Sequence, residues 1–446
     1  MLFESIVTLL AVTRTTNFAA RITSVKWFLP ALAPKRIALI GAMDEDLVAR
    51  QMGECTSFCD HVWAQYWSDL AFAYVDDLDR ELGRSGLPSI RKYIQGDQDA
   101  PLPHPEIYAY LGRGTTLLQN TPLGSSSKAA EMVKAYPAEQ RGPIVALDAA
   151  LKATAYLFQA AWPGGTPKRN IAYSMSSRMF DIILDACASP LGVRVIRHTL
   201  ASHGEEVTIY GLVPTSTKAN QQPAKDSLPG VLMTNGLEGT NAESIMPFLR
   251  SGRLGDAAWF FMEMPGTYAY KAPMSLGVTD CIYADAISFV QSLGFVDSSR
   301  VGMMGLSFGA HWATRMAIRD KRLKAVIANG APLERSLRPS AAFGMPQIMI
   351  EALLHAAGAN AMTLSTKLKA LAPSRDELCA ISCHVLAING DSDTLVDTMD
   401  TVELAELAPN SCLKLYQHDD HCAMAHAAEW LDLSIDWVKK HLVTGL

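Results

Sequence analysis

The sequence predicts an α/β fold in which helices cover both faces of a mostly parallel sheet. From about residue 190, apolar segments typical of buried strands alternate with segments of helical periodicity. Such alternation indicates parallel strands joined by helical crossovers, and a sheet buried on both faces. Before residue 190, apolar residues recur mostly every three or four positions. We therefore expect a mainly helical cap region over residues 1–190 and a sheet-containing domain over residues 191–446.

Eight segments of the second domain are predicted to be strands. They are residues 193–200, 205–214, 229–236, 257–266, 300–307, 324–332, 384–391 and 413–421. The short turn between the first two predicts that they pair antiparallel. Functional groups of such a sheet belong in the loops after the carboxyl ends of its strands.

The remaining segments are helical or irregular by pattern. Helical periodicity is clearest at residues 61–82, 146–162 and 176–188. Residues 96–114 contain three prolines and are interpreted as a connecting loop, and residues 35–43 resemble an isolated strand. Residues 333–376 are too long for an ordinary crossover and are rich in methionine. We interpret them as lid helices, together with the N-terminal helices.

Composition and charge exclude several classes of protein. Of the 446 residues, 49% are apolar and 19% are charged, which allows a large core and argues against disorder. The formal net charge is −6 and no basic run offsets it, so we expect neither a nucleic-acid nor a membrane partner. The N-terminal apolar run is short and interrupted by Glu4, which favours an amphipathic helix over an export signal. No stretch of about 18 uninterrupted apolar residues predicts a spanning helix.

The eight cysteines are scattered along a long chain, which predicts reduced thiols in a cytoplasmic protein. Two pairs have C-x3-C spacing, Cys55 with Cys59 and Cys379 with Cys383. Neither has a second pair nearby at the spacing of metal ligands, so we expect no metal site.

A G-x-S-x-G motif, Gly305 to Gly309 with Ser307 at its centre, lies between a predicted strand and a small-residue helix. In that context the motif forms a sharp turn that projects the serine at a helix N-terminus, where partial positive charge stabilises a developing anion. The flanking glycines allow the neighbouring backbone to approach closely. The motif predicts a nucleophilic Ser307 in an α/β-hydrolase fold.

A serine alcohol needs a base to act as a nucleophile at neutral pH, and the base is expected to follow an acid along the chain. After the strand at 384–391 we favour Asp393 as the acid, with Asp391 and Asp397 as alternatives. One of these three is expected to cap the next helix. After the last strand His421 is best placed as the base. The other histidines near that strand and the motif, His418, His426 and His311, are less well placed.

An oxyanion hole requires backbone N–H donors directed at the developing negative charge. One donor is predicted to be the amide of Phe308. The other is predicted in the loop after residues 229–234, where the amide of Gly236 or Leu237 is favoured. Substrate contacts are predicted at four side chains, namely Asn235, Glu238, Tyr268 and Arg178.

Together these motifs resemble the fungal polyketide-processing hydrolases, typified by the yellowish-green conidial pigment hydrolases. The matching segments are NGLEG at 235–239, MPGT at 264–267, GLSFG at 305–309, NGDSD at 389–393 and DDHC at 419–422. The wider group includes dihydroxypseudooxynicotine hydrolase and the fermentation-respiration-switch proteins. The resemblance covers residues 190–446, with Arg178-x-Phe180 as a further similarity. Where relatives commonly have Gly-Gly-Leu-Asp, this chain has Asn-Gly-Leu-Glu.

The resemblance implies Ser307 as nucleophile, Asp393 as acid and His421 as base, with no metal or organic cofactor, a helical N-terminal cap and a homodimer. It also implies a polyketide substrate, which a carrier domain of a polyketide synthase would present. We expect acyl transfer through an acyl-serine, to water or to an internal hydroxyl with lactone closure. One alternative is a retro-Claisen hydrolase that cleaves a carbon–carbon bond, and another is a binding protein without turnover.

Overall fold

The computed structural model describes residues 2–41, 43–119, 131–215 and 227–444. The described residues within 1–12, 194–244 and 253–446 form one compact unit, and those within 13–193 and 245–252 form the other. The cap role of residues 1–190 and the lid role of residues 333–376 stay predictions.

The first unit is built on a single eight-stranded sheet. Its strands are β1 (Val193–Ser202), β2 (Glu205–Pro214), β3 (Leu228–Thr234), β4 (Ala258–Met262), β5 (Val296–Leu306), β6 (Leu323–Asn329), β7 (His384–Gly390) and β8 (Ser411–Tyr416). They lie in the order β1-β2-β4-β3-β5-β6-β7-β8. β2 and β4 pair antiparallel, whereas every pairing from β4 to β8 is parallel. The predicted mostly parallel sheet is confirmed.

Helices of this unit pack on the sheet, namely Val278–Ser292, Phe308–Arg319, Thr398–Leu407 and Ala427–Val438. The unit also contains Leu2–Thr13, Gln347–Ala356, Leu364–Leu371 and Arg375–Cys379, and Asn241–Ser251 is divided between the units. Every residue of β3 and β4 is buried, as expected for central strands of a sheet that is covered on both faces. Short helical turns follow at Pro339–Ala342, His421–His426 and Lys439–Val443.

The second unit is helical, as the periodicity of its sequence predicts. Its helices include Thr16–Thr23, Ala33–Gly41, Glu45–Glu54, Asp60–Arg84, Arg91–Gln95, Pro105–Gly112, Thr116–Gln119, Ala138–Ala161 and Pro167–Cys187. The long helix Asp60–Arg84 buries Trp63 and Trp67 completely, and Trp67 stacks on Tyr156 of helix Ala138–Ala161. That second helix is long and apolar enough to cross a membrane by length and composition. However, 94% of its most apolar window is buried inside the protein, as in a core helix.

Two predictions for this region are wrong. Residues 35–43, predicted as an isolated strand, belong largely to helix Ala33–Gly41, which buries Ile37, Ala38, Ile40 and Gly41. Ile37 and Ala38 lie three positions before Ile40 and Gly41 respectively, so the four residues cover one helix face. Within the predicted loop 96–114, helix Pro105–Gly112 begins at a proline, because the first turn of a helix needs no proline N–H.

Candidate active site

Ser307 lies at the sharp turn between β5 and helix Phe308–Arg319. Its φ of 54° is in the left-handed region that non-glycine residues rarely adopt. The turn is fixed by a hydrogen bond of 2.7 Å from its amide to the carbonyl of Asn329 in β6. A Cβ at Gly305 would lie 2.1 Å from the carbonyl oxygen of Gly309, and one at Gly309 would lie 2.2 Å from that of Asn235. Both glycines of the motif are therefore required for close backbone approach.

The predicted nucleophile, base and acid form one chain of hydrogen bonds. Nε2 of His421 lies 2.8 Å from Oγ of Ser307, and Nδ1 of His421 lies 2.7 Å from Oδ2 of Asp393. Because a carboxylate can only accept, the proton of the neutral imidazole is on Nδ1, and Nε2 accepts from the serine hydroxyl. This is the arrangement in which an imidazole can remove the hydroxyl proton.

The acid of this chain is buried and fully hydrogen-bonded. The Asp393 side chain is 0% exposed and that of His421 is 6% exposed. Oδ1 of Asp393 accepts from the amides of Leu395 and Val396, at 2.8 and 2.9 Å. Burial would raise the pKa of Asp393, but the His421 charge and these hydrogen bonds outweigh it and lower the pKa. Asp393 is therefore ionised at neutral pH.

The electrostatics of His421 follow from the same contact. Burial disfavours the imidazolium and would lower the pKa of His421. The Asp393 carboxylate outweighs that effect, with a smaller contribution from Cys422, and holds the pKa well above its ordinary value. An imidazolium formed during a reaction is thereby stabilised.

The residues considered as alternative acids and bases make local hydrogen bonds instead. Asp397 caps helix Thr398–Leu407 by accepting from the amide of Met399 at 2.9 Å, the capping role expected for one of the three aspartates. Asp391 is exposed and accepts from the amide of His418. His426 bonds to Asp419 at 2.7 Å.

His311 is fully buried and its Nδ1 lies 2.9 Å from the carbonyl oxygen of Pro332. Because a carbonyl can only accept, Nδ1 is the protonated nitrogen. Burial lowers the pKa of His311 to about 4, so the ring is neutral. His311 thus has a local role, joining helix Phe308–Arg319 to the segment after β6.

Gly236 lies directly against the serine. A Cβ at this position would be 2.8 Å from Cβ of Ser307 and 3.2 Å from its Oγ. Among the described residues, the amides of Gly236, Leu237 and Phe308 have no hydrogen-bond acceptor. Amides that are free and close to a nucleophile can stabilise an oxyanion.

The predicted substrate contacts have different environments. Asn235 is buried, and its Oδ1 accepts from the amide of Met264 at 3.0 Å, which joins the turn after β3 to the loop after β4. Tyr268 is buried and donates from its hydroxyl to the carbonyl of Glu238 at 2.7 Å. Arg178 lies in the helical unit, where its Nε donates to the carbonyl of Ile94. Asn235, Glu238 and Tyr268 lie in the unit that contains Ser307.

Sequence reasoning missed two asparagines at the ends of strands β6 and β7. Nδ2 of Asn389 donates to Oδ2 of Asp393 at 2.9 Å, and Nδ2 of Asn329 donates to the carbonyl of Cys422 at 3.1 Å. Both residues are 0% exposed. The sequence signal is an Asn-Gly pair that ends two consecutive apolar strands, where polar side chains reach the functional edge of a sheet.

A comparison with protein families finds a match over residues 128–442 to the FrsA-like family, described as Esterase FrsA-like. Among curated proteins, Esterase FrsA of Vibrio parahaemolyticus serotype O3:K6 (strain RIMD 2210633) is 24% identical over 188 residues. That alignment covers 40% of this chain and 45% of the relative, so it spans less than half of the relative's length.

Solved structures share the fold. AbyA5 superposes with a TM-score of 0.55 at 19% identity, over 72% of this chain and 92% of AbyA5. The 2,6-dihydroxy-pseudo-oxynicotine hydrolase superposes with a TM-score of 0.53 at 20% identity, over 82% of this chain and 96% of the hydrolase. At these identities the likeness shows the fold, and the α/β-hydrolase fold predicted from the sequence is confirmed.

Proposed function

The chain belongs to the FrsA-like esterase family, and from that premise we propose that it is a serine hydrolase that forms an acyl-serine at Ser307. The observation that carries the proposal is the hydrogen-bonded chain from Ser307 through His421 to Asp393. A buried carboxylate, an imidazole of fixed tautomer and a hydroxyl at a strained turn are the groups that acyl transfer to serine requires.

The reaction begins when Nε2 of His421 takes the proton of Ser307 as Oγ attacks the substrate carbonyl carbon. The carbonyl π electrons move to oxygen, and the oxyanion binds the amides of Phe308 and of Gly236 or Leu237. Collapse of this intermediate breaks the bond to the leaving alcohol or thiol, which takes the proton from Nε2. Water or an internal hydroxyl then attacks the acyl-serine with the same base, giving the free acid or a lactone.

A polyketide-derived substrate of the fungal pigment hydrolase type is part of the proposal. The five matching motifs support it, and so do the unpaired polar atoms of the segment after β3. In the part of the chain that the structure describes, the buried polar atoms there without a hydrogen-bond partner include Nδ2 of Asn235, Oγ1 of Thr240, Oδ1 of Asn241 and Oγ of Ser244. Burial without a partner is unfavourable, and hydroxyl and carbonyl groups of an oxygen-rich substrate would supply partners.

The test is turnover of p-nitrophenyl esters and of polyketide thioesters by the full chain. Ser307→Ala should reduce kcat/KM by about a thousandfold or more, because the nucleophile is lost. Ser299→Ala is the matched control, since its exposed hydroxyl on the same strand bonds only Asp297, and it should leave turnover unchanged. Full turnover by Ser307→Ala would contradict the proposal, and no turnover by the wild-type chain on any of these substrates would favour a binding protein.

Product mass distinguishes the possible outcomes on a polyketide. Hydrolysis gives the free acid, and ring closure gives that acid less one water. Retro-Claisen cleavage, the alternative reaction, gives a shortened chain plus a small acid and requires that a carbanion leaving group be protonated. Acyl transfer predicts that the carbon chain stays intact, so a shortened chain would replace this proposal by the alternative.

A further inference from the structure

We infer that Asn389 is a positioning residue that fixes the acid and the base of the proposed active site relative to each other. The inference rests on the proposed function, because it assigns Asp393 and His421 their roles. Asn389 lies at the end of β7, and its side chain bonds to the turn that contains Asp393 and to the loop that contains His421.

The side chain uses both ends of its amide. Nδ2 donates to Oδ2 of Asp393 at 2.9 Å, and Oδ1 accepts from the amide of Cys422 at 3.0 Å. Oδ1 also accepts from the amide of Gly390 at 2.9 Å, which fixes the side-chain orientation. Because Cys422 follows His421 directly, one buried side chain connects the acid to the backbone beside the base.

The loop that it holds is strained. Cys422 and Ala423 have φ values of 58° and 49°, which non-glycine residues adopt only where the surroundings enforce them. Asn389 binds the amide of Cys422, and Asn329 binds its carbonyl at 3.1 Å. The two buried asparagines therefore fix both sides of the strained residue, and with it the direction of the His421 side chain.

Asn389 also acts on the charge of the acid. Its Nδ2 shares Oδ2 of Asp393 with Nδ1 of His421. Donation from Asn389 stabilises the carboxylate and weakens its attraction for an imidazolium. The ionisable groups that act on His421 are Asp393 and Cys422, while Asp419 and His426 on the same loop bond to each other.

Removing the Asn389 donor should therefore raise the pKa of His421 further. The neutral imidazole is the form that accepts the serine proton. The acid limb of the kcat/KM profile should consequently move to higher pH, by roughly one unit. Replacement of a residue with only a structural role would lower activity but leave the acid limb at the same pH.

The experiment compares Asn389→Ala with Asn329→Ala in the full chain. Both variants release one side of Cys422, and both should lower kcat about tenfold to hundredfold with little change in KM for a small ester. Asn389→Ala alone should shift the acid limb upward, because the Asn329 side chain donates to the Cys422 carbonyl and not to Asp393. An NMR titration of the ¹⁵N-labelled His421 ring should show the same shift without reference to turnover.

A second variant keeps the test valid where Asn389→Ala does not fold. Asn389→Asp retains an acceptor for the Cys422 amide but places a second negative charge beside Asp393, so the upward shift should be larger. An unchanged acid limb and an unchanged His421 titration in either folded variant would overturn the inference. The proposed function would then still stand, because it fails separately, through Ser307→Ala.

Discussion

Gly236→Ala tests the contact between the proposed oxyanion turn and the proposed nucleophile, Ser307. The added Cβ would lie 2.8 Å from Cβ of Ser307, whereas ordinary van der Waals contact begins at 3.4 Å, so the two groups must separate by 0.6 Å (3.4 − 2.8). The φ of Gly236 is outside the left-handed region, so alanine fits the backbone itself. The strain of this variant therefore arises from the contact with Ser307.

A displacement of this size at a reacting atom should reduce kcat/KM about tenfold to hundredfold, or roughly 1.4 to 2.7 kcal/mol of transition-state stabilisation. The assay is hydrolysis of a p-nitrophenyl ester, with thermal unfolding recorded in parallel. Gly294→Ala is the matched control, because a Cβ there meets nothing within 4 Å and its φ is ordinary. Wild-type kcat/KM in Gly236→Ala would refute the placement of this turn beside the reacting serine.

A double-mutant cycle gives the same test without turnover. Overpacking by one methyl group costs about 1 to 3 kcal/mol of unfolding free energy where the neighbour cannot move. Ser307→Gly removes the Cβ that the new methyl group would meet. Gly236→Ala should thus destabilise the wild-type chain more than it destabilises the Ser307→Gly chain, with a coupling energy of about 1 kcal/mol or more. Equal destabilisation in both backgrounds would mean that the contact is absent.

Three further predictions concern activity and stability. Asp393→Asn should lower kcat by about 10³ to 10⁴, because an amide no longer selects the imidazole tautomer, and an unchanged kcat would exclude Asp393 as the acid. His311→Gln keeps a donor for the Pro332 carbonyl and should abolish a loss of stability that the wild-type chain shows at acid pH. The His311 imidazole is protonated below pH 6.5 in the unfolded chain but only below about 4 in the folded chain. The wild-type free energy of unfolding, measured in urea, should therefore be complete above pH 6.5 and fall by about 3 kcal/mol between pH 6.5 and 4. Asp280→Ala should lower the free energy of unfolding by about 3 to 5 kcal/mol, because it removes the carboxylate that binds Arg315 at 2.9 Å and leaves a buried charge unpaired. The Arg315 side chain is only 8% exposed. A loss below about 1 kcal/mol would show that water replaces the carboxylate.

Local patterns were sufficient to predict the strands of a mostly parallel sheet and the sharp turn at Ser307. Each strand from β3 to β7 is a short apolar run bounded by turn residues, so its position can be read without knowledge of its neighbours. The turn at Ser307 is likewise defined within five residues, since the flanking glycines satisfy a requirement for close backbone approach. The order of acid and base along the chain then restricted Asp393 and His421 to the ends of the last two strands.

Patterns of this kind failed where the outcome depends on distant residues. The run at 35–43 has strand-forming residues, yet it is helical because its apolar face packs within the helical unit, and tertiary packing outweighs propensity. The roles of Asn389 and Asn329 depend on Cys422, which lies 33 and 93 residues further along the chain. A sequence shows that an asparagine ends a strand, but not which amide its side chain will meet.

The proposed function requires that His421 activate the Ser307 hydroxyl for attack on a carbonyl carbon. A fluorophosphonate probe reacts with such a serine, and mass spectrometry of the digested protein locates the label. We predict one label on Ser307 in the wild-type chain, and labelling slowed at least a hundredfold in His421→Ala. A label on another residue, or equally fast labelling of Ser307 without His421, would contradict it.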